Sequence, residues 1–124
     1  QKDLAFVKKD DVREIRLNKE IATRWTSKEL LAFAEVRSAE FDVANVITTV
    51  HRIAKSTDRW FVKRDQRLKQ VLAQAVDVIS DPERKAVARD VAKTIWSMAR
   101  VNSTDRPVQE RLSEEILRRV DQFE

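Results

Sequence analysis

Apolar side chains return every three or four positions along nearly the whole of this chain, the period of a helix with one face turned inward. The first stripe runs through Ile15, Leu17 and Ile21 toward Trp25, and Asp11 with Glu14 three residues on reads as a capping box at its start. Thr26 and Glu29 make a second box, opening a short helix with Leu30, Leu31, Phe33, Ala34 and Val36 inward. From Phe41 to Lys55, Val43, Val46, Ile47, Val50, Ile53 and Ala54 keep the spacing. Asp58 to Ile79 follows with Phe61, Leu68, Val71, Leu72, Ala75, Val76 and Ile79, and its irregular first turns predict a break near Arg64. Asp81 is placed to cap, and Pro82 suits a first helical position because its missing N–H would have been unpaired there anyway. The helix so opened is expected to reach Val101, burying Ala88, Val91, Ala92, Ile95, Met98 and Ala99. Pro107 opens the last helix, to Phe123, with Val108, Leu112, Ile116, Leu117, Val120 and Phe123 inward. Strict alternation never persists, so the expected class is all-α.

These helices repeat. The segment from Asp90 through Trp96 to Arg100 matches the segment from Asn45 through His51 to Lys55, forty-five positions earlier. A second match, Asp65–Asp77 with Gln109–Asp121, stands forty-four apart and in the same order. Two ordered matches at nearly one spacing are the mark of a helical-hairpin repeat, here a fragment of an α-solenoid. Residues 1–25 read as an N-terminal helix or extension, and residues 26–124 as a repeat region of about two to three helix pairs. Trp96 could serve as a stacking platform for a base of single-stranded RNA, but it lies beside Ala92, Ile95 and Ala99, so packing is the leading expectation for it, and its equivalent His51 is expected at the same inward or boundary position.

Composition narrows the function more by exclusion than by assignment. The 124 residues contain no Gly and no Cys, which removes Gly-rich phosphate loops, disulfides and thiol chemistry. There is no H-E-x-x-H pattern and no carboxylate cluster at metal-ligand spacing, so neither an enzyme nor a cofactor or metal is expected. The only His, His51, has no second His or Cys to share an ion with. No apolar run is long enough for a bilayer, and no small-molecule substrate is implied. The chain opens on Gln1 and its first ten residues are not a signal sequence, giving the expectation of a processed or ordered part of a longer protein. The net charge of +4 suits contact with phosphate, but many helical proteins carry as much.

The segment Asp90–Arg100 resembles the "ELANTLWALAK" stretch of octotricopeptide repeats and the related repeats of RAP-domain and FAST-kinase-domain proteins. Ala92, Thr94, Trp96 and Ala99 match outright, and Asp90, Val91, Ile95, Met98 and Arg100 are like-for-like replacements. Asn45–Lys55 resembles the same helix with His51 in the Trp slot, and Arg106–Pro107 resembles the start of the unit's second helix. The resemblance implies stacked helix pairs in an organellar (mitochondrial or plastid) protein associated with RNA, and relatives of the RAP group occur in divergent organellar ribosomes.

Two stretches are candidates for RNA contact. Arg59, Trp60, Lys63, Arg64, Arg67 and Lys69 interleave cations with aromatics, the combination that pairs phosphate and stacks bases. The competing reading is a solvated helix face with Trp60 and Phe61 packed on a neighbouring unit. By analogy with other helical repeats, Asn45, Thr48, Thr49 and Arg52, with Lys93 and Ser97 in the later unit, would line the ligand-facing surface. The leading expectation is a helical-repeat module of an organellar RNA-associated protein, binding RNA or a ribonucleoprotein. The alternative is a non-catalytic accessory subunit of a large organellar complex (a ribosome, photosystem or respiratory complex), acting through other protein subunits.

Overall fold

A computed structural model of the chain describes residues 9–24 and 26–123. The expectations for Trp25, for residues 1–8 of the proposed extension and for the Phe123 side chain lie outside the described residues. Six α-helices follow in order: α1 (Lys9–Ala22), α2 (Ser27–Arg37), α3 (Val43–Lys55), α4 (Gln66–Ser80), α5 (Ala88–Arg100) and α6 (Arg106–Arg118). Among the described residues there is no strand.

The start of each helix is written in its polar residues. Thr26 and Glu29 complete the expected box on α2, the Thr26 hydroxyl accepting from the Glu29 N–H and the Glu29 carboxylate from the Thr26 N–H, both at 3.1 Å. Asp65 caps α4 through the Arg67 N–H and Asp105 caps α6 through the Val108 N–H. Such a cap contributes about 1 kcal/mol. Asn45 and Asp90, equivalent in the repeat, do the same work at α3 and α5: their side chains accept from the N–H groups of Asp42 (3.0 Å) and Val87 (2.9 Å). α1 already includes Lys9, so Asp11 and Glu14 lie inside that helix and do not cap it. The helix expected from Pro82 to Val101 is two pieces: a 3₁₀ turn over Pro82–Arg84 ends at Lys85 in the left-handed region, and α5 begins three residues later. Asn102 takes the other left-handed position and closes α5 in a Schellman turn, the Ser103 N–H donating to Met98 O and the Asn102 N–H to Ala99 O, both at 3.1 Å. Asn serves here because the chain has no Gly to offer.

The helices form two layers. α3 packs on α1 and α5, and α4 on α2 and α6, with α2–α3, α3–α4 and α4–α5 contacts joining the layers. α1 therefore joins the array as the first helix of the first layer, beside α3. One core runs through all six helices, including Leu17, Leu31, Ile53, Val76, Val91 and Leu112. In the second layer the caps Asp65 and Asp105 stand forty positions apart, one helical turn short of the spacing read from the sequence match.

A single device recurs between neighbours of each layer. Helix C-termini leave carbonyls without partners, and a long side chain from the next helix in the layer donates to them. Arg52 of α3 reaches Ala22 O and Arg24 O at the end of α1 (3.2 and 3.0 Å), and Arg100 of α5 reaches Ala54 O at the end of α3 (2.8 Å). In the second layer Gln74 of α4 donates to Ser38 O (2.9 Å), while Arg119, just past α6, donates to Ile79 O (3.0 Å). Three of the four donors are cations at the negative end of a helix dipole, which adds to each hydrogen bond.

Candidate nucleic-acid interface

Between α3 and α4 the chain makes a compact turn. The Ser56 hydroxyl donates to Ile53 O (2.8 Å), and the Asp58 carboxylate accepts from the Ser27 N–H (2.7 Å), capping α2 from a different hairpin. Burial pushes the Asp58 pKa up, but hydrogen bonds from the Ser27 N–H, the Ser56 hydroxyl and the Lys28 N–H outweigh it and hold the carboxyl below its ordinary value. Arg59–Val62 then forms a 3₁₀ turn pinned by the buried Val62. With Val62 inward, Trp60 and Phe61 point out and stand 56% and 82% exposed. Phe61 is thus not part of the α4 stripe, and neither aromatic is covered by a neighbouring unit. Lys63 and Arg64 are exposed on the next turn, and α4 starts beyond them at Gln66, as the irregular spacing near Arg64 predicts.

Not every cation of this stretch is available. Arg59 donates to Ser56 O (3.1 Å) and lies 5.1 Å from the Trp60 ring centroid, where it orients the indole. Arg67 forks onto Asp65, with Nε and Nη2 at 3.1 and 2.9 Å from the two carboxylate oxygens, and this pairing lowers the Asp65 pKa. Lys69 is exposed on α4. Trp60, Phe61, Lys63 and Arg64 are the outward-facing set.

The first-layer positions sort differently from expectation. Asn45, Thr49 and Ser97 are fully buried and do not line an outer surface. The Asn45 amide, besides capping α3, donates to Glu14 O and Asn18 Oδ1 at 2.9 Å. Thr49 and Thr94, equivalent in the repeat, donate to the carbonyls one turn back at Asn45 (2.7 Å) and Asp90 (2.9 Å), and Ser97 donates to Lys93 O (2.7 Å). A hydroxyl satisfied by its own helix packs like a small apolar group. Arg52 is held on the end of α1, Thr48 is half-buried, and only Lys93 of this set is open.

The same rotation turns Trp96 outward. It is 43% exposed, with Ala92 and Ala99 exposed on either side, where packing was expected. His51, half-buried on α3, lies with its ring centroid 5.2 Å from that of Trp96 and the planes inclined at 52°. The Arg100 guanidinium sits 5.3 Å from the indole. Burial lowers the His51 pKa, and the charges of Lys93 and Lys55 lower it further, which favours the neutral ring. The sequence favours packing over stacking for Trp96 and an inward or boundary place for His51, and it gives Lys55 and Arg100 no role. The signal of an outward Trp96 was present: it is ringed at helical spacing by Ala92, Lys93, Ala99 and Arg100, none of them a large apolar partner.

Among the described residues no group of three or more His, Asp or Glu is arranged to hold a metal ion, and no helix is long and apolar enough to cross a membrane. Compared with family models, curated proteins and solved structures, the chain matches none.

Proposed function

We propose that this chain is a helical-repeat module that binds single-stranded RNA or a ribonucleoprotein of an organelle. The observation that carries the reading is the turn between α3 and α4, where Trp60 and Phe61 stand in solvent beside Lys63 and Arg64. Folding gains nothing from an exposed Phe ring, whereas an unstacked base gains a platform and its phosphates gain two cations. Filter binding of a uridine-rich RNA 12-mer across a salt series tests it. Binding is expected at low salt, and Lys63→Ala/Arg64→Ala should flatten the salt dependence by a slope of roughly 1.4, two phosphate contacts' worth for a single strand. Absence of binding at low salt sinks the reading; unchanged affinity in the double variant removes this turn from it.

A second reading, an accessory subunit of a large organellar complex, is favoured by a different observation. Val36 on α2, with Leu117 and Val120 at α6, is large, apolar and exposed (77%, 73% and 56%) at the two ends of the second layer. Val36 also borders a groove of about 650 Å³ beside Phe33, Arg24 and Arg37. End units of a stacked array need covering. Co-sedimentation with a megadalton particle that survives RNase would favour this reading over direct RNA binding.

A further inference from the structure

We propose that the outer face of α3 and α5 is a second binding site for single-stranded RNA, taking a base on the Trp96 ring and adjoining phosphates on Lys93 and Lys55. The inference rests on the RNA-binding reading and adds to it a site on different helices from the turn at Trp60.

Charge complementarity selects the occupant. α3 and α5 together carry five Lys and Arg against one carboxylate, Asp90, and that carboxylate is tied to the Val87 N–H. By contrast, α1, α2 and α6 each balance their charges. The excess on these two first-layer helices equals the net charge of the whole chain, +4. Among the described residues no ion pair engages Lys55, Lys93 or Arg100. Lys55, one turn on from His51 in α3, and Lys93, across from it in α5, both bear on His51 and are exposed, so like charges face one surface and a polyanion would relieve them.

The aromatic geometry points the same way. Ala92 and Ala99, four before and three after Trp96, present methyl groups only, so the approach to the indole is open. His51 and Arg100 lie against the ring, at 5.2 Å between ring centroids and 5.3 Å from guanidinium to centroid, and Arg100 is itself anchored through Nε to Ala54 O. A base therefore meets an indole whose orientation is already set, beside cations that reach its phosphates. An acidic protein helix would use the cations but has no need of the ring.

His51 is the only histidine, so its imidazole C–H signals report on this face alone. The test follows those signals by proton NMR while a uridine RNA octamer is added, and measures affinity by fluorescence anisotropy for the wild type, Trp96→Ala, Lys93→Glu and Lys63→Ala/Arg64→Ala. Circular dichroism verifies folding, and Lys93→Glu, an exposed substitution, carries the test if Trp96→Ala unfolds. Displacement of the His51 signals, with about tenfold weaker binding in Trp96→Ala or in Lys93→Glu, supports the site. RNA binding that leaves the His51 signals in place and is unaffected by either variant overturns the site while the RNA reading stands. No octamer binding at low salt overturns both. His51 signals that move with a poly-glutamate peptide, and not with RNA, overturn the site in favour of an acidic protein partner.

Discussion

Glu115 and Arg119, one turn apart in α6 and its C-cap, form an ion pair at 2.6 Å with only 4% and 11% of their side chains exposed. The same guanidinium donates to Ile79 O (3.0 Å) and Ala86 O (2.7 Å), joining α6 to the end of α4 and to the connection before α5. Arg118 completes the cluster from the exposed side. Arg119→Ala leaves the Glu115 carboxylate with one partner and two carbonyls with none. A loss of about 2–4 kcal/mol is expected in urea unfolding. Arg119→Lys keeps the charge without the fork and should fall between the two.

The same cluster sets a pH dependence. Burial pushes the Glu115 pKa up, but hydrogen bonds from Arg118 and Arg119 prevail and lower it from the ordinary 4.5. A carboxyl held lower in the folded than in the unfolded chain contributes stability above the unfolded value, and loses it as pH falls through the folded one. Stability should therefore decline below about pH 4.5, and Glu115→Gln should decline less steeply. Urea midpoints measured from pH 3 to 7 check this; parallel curves for the two proteins would contradict it.

Arg52 is expected to matter to α1 before it matters to any ligand. Its Nη2 donates to Ala22 O and Arg24 O, and Arg52→Ala removes both bonds and a cation at a helix C-terminus. A cost of about 1–2 kcal/mol follows. Hydrogen exchange should show faster amides in α1 with α4 and α6 unchanged. RNA affinity measured well below the melting temperature should not move.

Lys85 and Asn102 occupy left-handed conformations, each with φ of 55°. For a Lys this costs roughly 1–2 kcal/mol, part of which a Gly would return as unfolded-state entropy. Lys85→Gly should stabilise by about 0.5–1 kcal/mol, Asn102→Gly should be nearly neutral, and Asn102→Val should destabilise by more than 1 kcal/mol. Thermal melts of the three variants rank them.

Thr94 tests the close packing of the first layer. It is fully buried with its hydroxyl on Asp90 O. Thr94→Val keeps the shape and should cost about 1 kcal/mol, whereas Thr94→Leu adds volume where neighbouring helices meet and should cost about 1–3 kcal/mol. Equal effects from the two would mean the site has room to spare.

The helical period, the cap at Thr26 and the break near Arg64 were legible in the chain, because each depends on contacts within a few residues, whereas the caps at Asp65 and Asp105 emerged only with the helix starts. The forty-five-residue match was legible too, and Asn45 with Asp90 and Thr49 with Thr94 do occupy equivalent places. The rotation of each helix about its axis was not legible. Read alone, α5 offers two plausible inner faces, one through Ala92, Trp96 and Ala99 and one through Val91, Thr94 and Met98. The choice rests on volume at the neighbouring helices: Thr and Ser, self-bonded and small, fit between packed helices where an indole does not. That choice buries Asn45, Thr49 and Ser97, and it brings Trp96 to the surface beside His51. A local pattern cannot report it, since it is settled by what the facing helices leave empty.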